Sequence, residues 1–377
     1  MAGSTFGNIF RISTWGESHG FGIGVVIDGC PAGLSLNEED IQKHLDRRKP
    51  GQSTFTTPRK ESDKVEILSG VFEGKTTGTS ISLLIRNETQ RPYDYSEIKE
   101  YYRPGHADFT YNGKYGFRDY RGGGRSSGRE TSARVAAGAI AIKILESLGI
   151  TFQTYTRQIG PVVIDDFSWE EVSKNPLCMP DKAAAKRASD YLNRCMEEKN
   201  SSGGQIECRV SNLPIGLGAP VFEKLDANLG KAIFSIGAVK AVEIGAGMDV
   251  ITATGITNND DFYLKEEKAF KITNNAGGIL GGISDGSPLI LRAAIKPTAS
   301  IAARQHTFNK DGQELDIHIT GRHDPIIVPR AVVVVEAMTA LVLVDALLEN
   351  MTCKMDNIYK IYKDKSSPMP KGIFREW

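Results

Sequence analysis

Residues 332–348 have the sequence VVVVEAMTALVLVDALL, in which apolar side chains point in almost every direction around a helix. A second long run, ETSARVAAGAIAIKILESL at residues 130–148, is rich in alanine and repeats its larger apolar residues at helical spacing, and Gly149 follows it as a stop signal. A helix that is apolar nearly all round is typically buried on several sides. The two segments therefore predict two long helices inside one shared core.

Short β-rich runs bounded by glycine or proline surround these helices. The clearest are residues 25–28, 81–85, 205–210, 289–295 and 317–319. Together with the two helices they predict an α+β fold in a single domain, residues 1–377. The charged stretch 165–200 predicts a helical excursion on the surface, and residues 354–377 predict a polar tail draped over the surface or a neighbouring subunit.

The sequence contains a weak internal repeat, made of two pairs of similar segments. CPAGL at 30–34 resembles LPIGL at 213–217, and GTSI at 78–81 resembles GSPL at 286–289. Two interpretations stay open: the chain consists of two similar halves, residues 1–150 and 205–350, or Gly-rich strands resemble each other by chance.

Composition excludes several classes of protein. The 377 residues are 40% hydrophobic and 24% charged, which excludes a disordered tail protein and a collagen-like fibre. Lys+Arg 46 against Asp+Glu 46 gives a formal net charge of +0, which argues against nucleic-acid binding and against a membrane-surface binder. An anionic ligand must therefore be held by local clusters of basic residues.

The cellular setting is predicted to be the cytoplasm. The five cysteines are scattered and never at the two-residue spacing of metal ligands, which is typical of a reducing compartment. Residues 1–11 lack the features of a secretory signal. The most apolar stretch, 326–348, is interrupted by Pro329, Arg330, Glu336 and Asp345. We expect a strand and then a buried helix there, and no membrane span.

Three of the six histidines lie in loops rich in glycine or proline: His19, His106 and His323. Glycine neighbours leave an imidazole open to a ligand, whereas a structural histidine usually fills a core or caps an element. None of the three has the i, i+4 spacing of a helical zinc site, so acid–base chemistry is favoured and no metal is predicted. His44 follows an acidic helix start and is predicted to lie on the surface.

Two arginine-rich segments predict anion binding. RRKPG at 47–51 and RDYRGGGRSSGR at 118–129 place guanidinium groups beside glycines and hydroxyls, which suit phosphate and carboxylate. The second segment leads into the helix at 130–148, whose N-terminus also favours an anion. A solvated basic loop is the alternative, but the interleaved glycines favour an anion site.

Two other motifs are rejected. GVFEGKT at 70–76 resembles a phosphate loop but is one residue short between its glycines, and position 69 is serine. A turn is favoured there, which argues against an ATP-dependent kinase. The RGGGR run at 121–125 is not repeated and the overall charge is balanced, so an RNA-binding Arg-Gly module is disfavoured.

Two downstream segments remain open to two interpretations. NNAGGILGGIS at 274–284 exposes backbone, and KPTAS at 296–300 offers an ammonium group and two hydroxyls. Each alone is typical of a surface turn, whereas together they indicate a second anionic ligand in the same cleft.

Taken in order, these motifs make the chain resemble the chorismate synthase family throughout its length. The motifs that carry the resemblance are GESHG at 16–20, RPGHAD at 103–108, GRSSGRET at 124–131, residues 277–284, KPTAS at 296–300 and GRHDP at 321–325. The resemblance implies a β-α-β sandwich in which two sheets enclose a helical layer, assembled as a homotetramer. It also implies a reaction, the anti 1,4-elimination of phosphate from 5-enolpyruvylshikimate 3-phosphate to give chorismate, which requires reduced FMN without net redox change.

The resemblance also assigns roles to residues. His19 and His106 match the catalytic histidines, one of which would protonate the flavin or the leaving phosphate, and Asp324 matches the carboxylate near the central-ring nitrogen of the flavin. Arg48, Arg103 and Arg129 match the arginines that bind the substrate. The implied flavin contacts are Arg125, Ser126, Ser127, Gly237, Ala238, Gly281, Lys296, Pro297, Thr298, Ala299, Ser300 and Arg322.

A few positions depart from the family pattern. Thr54 stands where many relatives have arginine, which affects one contact to substrate or NADPH. Gly237 replaces a common asparagine, Gly128 a common alanine and Ile326 a common cysteine. Whether NADPH reduces the flavin on the enzyme is not decided by these residues, and we expect a separate flavin reductase because no added domain is evident.

Overall fold

The structure is a computed structural model that describes residues 3–51, 53–56, 61–88, 97–319 and 324–363. Arg322, His323 and the end of the predicted tail, residues 364–377, lie outside the described residues.

Strands occur along most of the chain and make up most of the regular structure in its first third. They are β1 (Thr5–Phe6), β2 (Arg11–Gly16), β3 (Gly22–Asp28), β4 (Val65–Ser69), β5 (Val71–Phe72), β6 (Lys75–Thr76), β7 (Ile81–Arg86), β8 (Thr151–Ile159), β9 (Val162–Val163), β10 (Gly204–Ser211), β11 (Val239–Ile244), β12 (Phe262–Lys265), β13 (Lys268–Lys271), β14 (Ile279–Leu280), β15 (Ile283–Ser284), β16 (Leu289–Ile295), β17 (Arg304–Phe308) and β18 (Glu314–His318).

Helices connect and cover these strands. They are α1 (Glu38–Arg48), α2 (Asp108–Tyr115), α3 (Thr131–Ser147), α4 (Lys182–Glu197), α5 (Leu225–Phe234), α6 (Gly255–Asn258), α7 (Val328–Asn350) and α8 (Met355–Tyr362). The two long predicted helices correspond to α3 and α7, and the predicted excursion contains α4.

The first sheet has the strand order β1-β2-β3-β7-β4, and every pairing is antiparallel. Its central strands β3 and β7 place Val25 opposite Leu83, and both side chains are fully buried. The predicted strands 25–28 and 81–85 are confirmed as parts of β3 and β7.

The second sheet has the strand order β11-β16-β10-β8-β9 and is also antiparallel. In β16 every other residue is buried, because side chains alternate between the two faces of a strand. The buried set is Leu289, Leu291, Ala293 and Ile295. One apolar face and one more polar face are what an antiparallel sheet presents when it covers a core on one side.

The long helices connect the two sheets. Helix α3 contacts β2, β3 and β7 of the first sheet, α7 contacts β8 and β10 of the second, and α3 and α7 pack against each other. The packed pair of helices therefore contacts both sheets, α3 the first and α7 the second. The predicted mixture of helix and strand is confirmed.

A glycine lets the two long helices approach closely. A Cβ atom on Gly138 of α3 would lie only 2.4 Å from the Cβ of Ala337 on α7. Real carbon atoms do not approach so closely, so the spacing of the helices depends on the absence of a side chain at position 138.

Helix α7 is long and apolar enough to span a membrane by length and composition, but 78% of its most apolar window is buried inside the structure. The predicted strand before it is wrong, because Ile326 and Ile327 are not in a strand and the helix begins at Val328. Pro329 occupies the first turn, where the missing N–H removes no helical hydrogen bond.

Three further predictions meet the structure with different results. His44 is buried rather than on the surface, because its side of α1 faces Glu336 of α7. The predicted polar tail begins with a helix, α8. The rejected phosphate-loop segment forms a small hairpin, β5–β6, as the predicted turn requires.

Candidate active site

A turn of two glycines brings the predicted catalytic histidines to the same loop. Gly122 and Gly123 have φ values of 63° and 88°, in the left-handed region that favours glycine. A Cβ on Gly122 would lie 2.3 Å from Cε1 of His19, and one on Gly123 would lie 3.2 Å from Cε1 of His106. Both imidazoles therefore contact one turn, which has no room for a side chain at position 122.

His19 is the central residue of the connection between β2 and β3. Its ring is buried, and the Ser18 hydroxyl lies 3.0 Å from Nδ1. The same hydroxyl lies 3.4 Å from the carbonyl oxygens of Arg121 and Gly122. The side-chain amide of Asn87 fixes this connection by donating to the carbonyls of residues 17 and 20, at 3.0 and 2.8 Å.

His106 lies beside a buried ion pair at the start of α2. Its Nδ1 is 3.0 Å from Oδ1 of Asp108, while Nε and Nη2 of Arg103 donate to the two oxygens of Asp108 at 2.7 and 2.9 Å. Burial would raise the pKa of Asp108, but the hydrogen bonds from Arg103 and His106 outweigh burial and hold it far below its ordinary value. Asp108 is therefore a carboxylate at any physiological pH.

The segment 296–300 packs against this histidine loop. The ammonium group of Lys296 donates to the carbonyl of Gly105 at 2.8 Å, and a Cβ on Gly105 would lie 3.4 Å from that of Ala299. The backbone N–H of Lys296 also donates to the carbonyl of Ala238 at 2.9 Å. The fold thus joins the turn at 237–238, the end of β16 and the His106 loop.

The charge around Lys296 favours an anion. Burial lowers the pKa of Lys296, and the nearby ammonium group of Lys240 lowers it further. The missing Cβ of Gly237, in the adjacent turn, would have no described heavy atom within 4 Å. A bound phosphate or carboxylate would offset the repulsion between these two ammonium groups.

Asp324 is connected to the same segment. Its backbone carbonyl accepts a hydrogen bond from the Thr298 hydroxyl at 2.7 Å, and its carboxylate accepts one from Arg330 at 2.8 Å. Arg330 also donates to the carbonyl of Arg48 at 3.2 Å. Ser201, which sequence reasoning did not single out, donates to the carbonyl of Thr298 at 2.8 Å.

Arg48 and Arg129 share one buried carboxylate, that of Asp63. Arg48 Nη2 lies 2.6 Å from Oδ2, and Arg129 Nη1 donates to Oδ1. Burial lowers the pKa of Arg48 to about 10 although Asp63 opposes this change. Burial would raise the pKa of Asp63, but the two arginines hold it at about 2. No local sequence pattern signalled Asp63, because it lies 15 residues from Arg48 and 66 from Arg129.

The predicted flavin contacts at 125–127 face their own loop and β2. Arg125 donates to the Thr14 hydroxyl at 2.7 Å and to the Gly16 carbonyl at 3.2 Å. The Ser126 hydroxyl donates to the carbonyl of Gly123 at 2.7 Å, and the Ser127 hydroxyl accepts from the N–H of Arg129 at 3.3 Å. These bonds fix the shape of the loop that carries the glycine turn.

A chain of polar contacts links this loop to the turn at 237–238. Glu130 accepts from Arg134 at 2.7 Å, and Arg134 donates to the Ser235 hydroxyl at 2.6 Å. The first turn of α3 is thereby tied to the residues just before Gly237.

Gly281 is not brought to this cluster within the chain. It lies in the β14–β15 hairpin near the Leu289 end of β16, because Gly278 contacts Leu289 there, whereas Lys296 follows the other end of the strand. Seven residues of strand separate the two ends, a distance of about 20 Å at 3.3 Å per residue. The other described residues of the predicted set are connected, directly or through their neighbours, to the two histidine loops.

A cavity of about 550 Å³ opens beside His106. Part of its wall is an aromatic cluster formed by Tyr102, Phe109 and Phe308, whose ring centroids lie 5.3–5.9 Å apart. The β17–β18 hairpin contributes His306 and Glu314 to the wall. The cavity therefore combines an apolar surface with the polar edge at Arg103 and His106.

Comparison with known proteins gives a consistent result. The sequence profile named "Chorismate synthase" matches residues 10–348. A chorismate synthase of Agathobacter rectalis is 66% identical over 96% of this chain and 100% of its own length. One of Methanocella arvoryzae is 55% identical over 92% of this chain and 95% of its own length. A crystal structure of a chorismate synthase superposes with a TM-score of 0.75 at 32% identity, covering 95% of this chain and 98% of that one.

Proposed function

This chain belongs to the chorismate synthase family, and from that premise we propose that the cleft around its glycine turn is the site where 5-enolpyruvylshikimate 3-phosphate reacts in the presence of reduced FMN. Membership makes the chain a lyase that forms chorismate, the last step of the shikimate pathway, within aromatic amino acid biosynthesis. The observation that carries the assignment of the site is the contact of both His19 and His106 with the turn at Gly122 and Gly123.

The reaction sets clear demands on the site. A C–O bond breaks and its electron pair leaves with the phosphate, while a C–H bond on the far side of the ring is lost and its electrons complete the new diene. No electrons are gained or lost overall. The hydrogen is not acidic, so a protein base alone faces a high barrier, and bound reduced FMN supplies the electron density that the side chains lack.

The residues present fit a phosphate-bearing planar cofactor. Lys240 and Lys296 are neighbouring cations, and the space beside Gly237 is open among the described residues. We propose that the cofactor is held by residues of the connected cluster, with Arg322 added from outside the described part. The set is Arg125, Ser126, Ser127, Gly237, Ala238, Lys296, Pro297, Thr298, Ala299 and Ser300.

The chain's own task is to bind, orient and exchange protons. We propose that His19 or His106 donates a proton, since imidazole changes its protonation state near neutral pH and a positioned general acid contributes roughly 10²–10⁴-fold. Asp324 would orient the edge of the cofactor, supported by its link to Thr298 and its ion pair with Arg330.

Arg48, Arg103 and Arg129 are proposed to bind the phosphate and carboxylates of the substrate. Each is buried and already paired with an aspartate, Asp63 or Asp108, which keeps its guanidinium group in a fixed orientation. A guanidinium group has five N–H donors, so a carboxylate partner leaves donors for a second anion. We infer that this bracing preorganises the arginines.

The proposed activity is tested by phosphate release. Purified protein and 5-enolpyruvylshikimate 3-phosphate are mixed anaerobically, with FMN that is either oxidised or reduced by dithionite. Phosphate and chorismate should appear in equal amounts and only with reduced FMN. Release of phosphate with oxidised FMN, or no release with reduced FMN, contradicts the proposal. NADPH plus FMN without a reductase should give no product if, as we propose, a separate reductase is needed.

We further propose a β-α-β sandwich of two similar halves, residues 1–150 and 205–350. It is supported by one five-stranded antiparallel sheet and one long helix in each half, apart from β8 and β9, which precede residue 205.

We also propose a homotetramer in the cytoplasm. Exposed apolar side chains on residues 215–280, such as Phe222, Ile256 and Leu264, support association, and a neighbouring copy would be needed to bring Gly281 to a cleft. All five cysteines are free thiols, as a reducing compartment requires.

A further inference from the structure

The residue two positions after His106, Asp108, is more deeply buried than His106 itself, with side chains 2% and 20% exposed. Asp108 is buried and begins α2. Arg103 approaches it with two side-chain nitrogens, at 2.7 and 2.9 Å, and with its backbone N–H at 3.3 Å. Arg118 Nη1 lies 3.8 Å from Oδ1. A carboxylate held by this many donors has a single orientation available to it.

We propose that Asp108 is a positioning residue that fixes the ring orientation and the tautomer of His106, so that Nε2 is the atom that exchanges protons in the active site. The proposal rests on the proposed function only in assigning that exchange to catalysis. The orientation itself follows from the contacts of the protein.

The 3.0 Å distance between Nδ1 of His106 and Oδ1 of Asp108 favours one tautomer of the neutral ring. Two unprotonated acceptors at this distance repel each other, so the proton of the neutral ring lies on Nδ1 and points to the carboxylate. Arg103 Nη2 also lies 3.0 Å from Nδ1, and one of its two N–H groups donates to the same Oδ1 at 2.9 Å. Donation by the other N–H to Nδ1 would support the opposite tautomer, but the charged carboxylate is the stronger acceptor for the ring proton and favours Nδ1–H.

The opposite nitrogen of the ring then faces the glycine turn. A Cβ on Gly123 would lie 3.4 Å from Nε2 of His106 and 3.1 Å from the Ser126 hydroxyl oxygen. The missing side chain at position 123 therefore leaves Nε2 accessible from that side. Nε2 carries a lone pair in the neutral ring and an N–H in the charged ring. The same atom therefore accepts a proton in one direction of transfer and donates it in the other.

Several charged groups face His106, and they determine the effect of losing Asp108. Arg103 and Arg118 share the aspartate, Lys296 contacts the Gly105 carbonyl, and His19 lies across the glycine turn. His306 and Glu314 of the β17–β18 hairpin line the same cavity. Asp108 is the carboxylate in direct contact with the ring, and without its charge the two arginines would disfavour the protonated imidazole.

The first measurement uses the parent protein without substrate or flavin. Nitrogen chemical shifts of its histidine rings report the tautomer, and folded His106→Gln identifies the His106 signals by their loss. We expect the Nδ1–H tautomer for neutral His106. A dominant Nε2–H tautomer would overturn the proposal, and this result does not depend on whether any Asp108 variant folds.

The second measurement compares Asp108→Asn with Asp316→Asn. Asp316 Oδ1 lies 3.3 Å from Nδ1 of His306, in a pair whose side chains are 37% and 64% exposed, so it is a matched exposed control. Asp108→Asn should weaken the proton affinity of His106 about tenfold or more, because the charge that favours the protonated ring is lost. It should lower kcat about 100-fold, with KM for the substrate changed less than about threefold. Asp316→Asn should leave both kcat and the titration of His106 unchanged.

The outcomes separate this proposal from the proposed function. Unchanged His106 titration and unchanged kcat in folded Asp108→Asn contradict the positioning role while the lyase activity stands. If Asp108→Asn does not fold, Asp108→Glu is used instead, because it keeps the charge but moves the carboxylate by one methylene group. Its His106 ring should give altered nitrogen shifts, and unaltered shifts contradict the proposal. Absence of phosphate release by the parent protein contradicts the lyase function and leaves the tautomer result intact.

Discussion

Replacing Gly122 by alanine tests whether the glycine turn organises the site. The new Cβ would lie 2.3 Å from Cε1 and 2.5 Å from Nδ1 of His19. Carbon atoms in contact need about 3.5 Å, so the imidazole must move by about 1 Å or the turn must open. The φ of 63° adds strain, because a left-handed residue with a Cβ costs about 1–2 kcal/mol.

The magnitude follows from these two effects. Overpacking against a buried ring costs about 1–3 kcal/mol. With the backbone strain, the free energy of unfolding should fall by about 2–5 kcal/mol. A displacement of about 1 Å in a catalytic group can reduce the rate by about 100-fold, and we expect a loss of this size in kcat.

Two further glycines make the test graded. Gly149 has a φ of 82° and no described heavy atom within 4 Å of its missing Cβ, so Gly149→Ala carries the strain without the clash. It should lose about 1–2 kcal/mol and keep the parent kcat. Gly123→Ala, with contacts of 3.1–3.4 Å, should lie between the two in kcat.

The assays are urea unfolding and anaerobic phosphate release with reduced FMN. If Gly122→Ala is as stable as Gly149→Ala and turns over at the parent rate, the argument that His19 is positioned by this turn is wrong.

Three other perturbations follow from the structure. His19→Ala and His106→Ala should each slow anaerobic phosphate release by roughly 10- to 1,000-fold. His318→Ala changes an exposed residue at the end of β18 and should keep the parent rate. Parent rates in both His19→Ala and His106→Ala would contradict a catalytic role for the two histidines. Gly138→Ala should lower the free energy of unfolding in urea by about 1–3 kcal/mol, because the new Cβ would lie 2.4 Å from that of Ala337. Gly230→Ala in α5 has no described neighbour within 4 Å of the new Cβ and should raise the free energy of unfolding by about 0.5–1 kcal/mol. Equal effects of the two substitutions would contradict the packing argument. Burial lowers the pKa of His44 from 6.5 to about 4, so between these pH values the unfolded chain binds a proton that the folded chain does not. The free energy of unfolding should therefore fall on acidification from pH 6.5 to 4, and His44→Gln should remove about 1–3 kcal/mol of that loss. Urea unfolding measured across pH checks this expectation, and an unchanged pH dependence in the variant would contradict it.

The sequence predicted the elements whose signals are local. Helices α3 and α7 follow from apolar side chains on nearly all faces, and β16 from its apolar residues between glycine-rich and proline-containing segments. The strand predicted before α7 was wrong because apolar content alone does not distinguish a strand from the first turn of a buried helix. His44 was misplaced for a similar reason, since an acidic helix start says nothing about which face the other helices cover.

The candidate site was predicted in its residue types more than in its geometry. Glycines beside histidines and arginines indicated an anion site with acid–base chemistry, and the order of the motifs indicated the family. Which groups meet could not be predicted, and neither could the carboxylate shared by Arg48 and Arg129 nor the separation of Gly281 from Lys296.

The sequence by itself determined the chemistry available to this protein, because residue type fixes charge, hydrogen-bonding capacity and backbone freedom within a few positions. Only the tertiary structure decided which of these groups act together. Ser18 meets the carbonyl of Gly122 across 104 positions, and Lys296 meets Gly105 across 191. Contacts over such separations depend on the packing of both sheets against α3 and α7, and this packing is a property of the whole chain rather than of any segment.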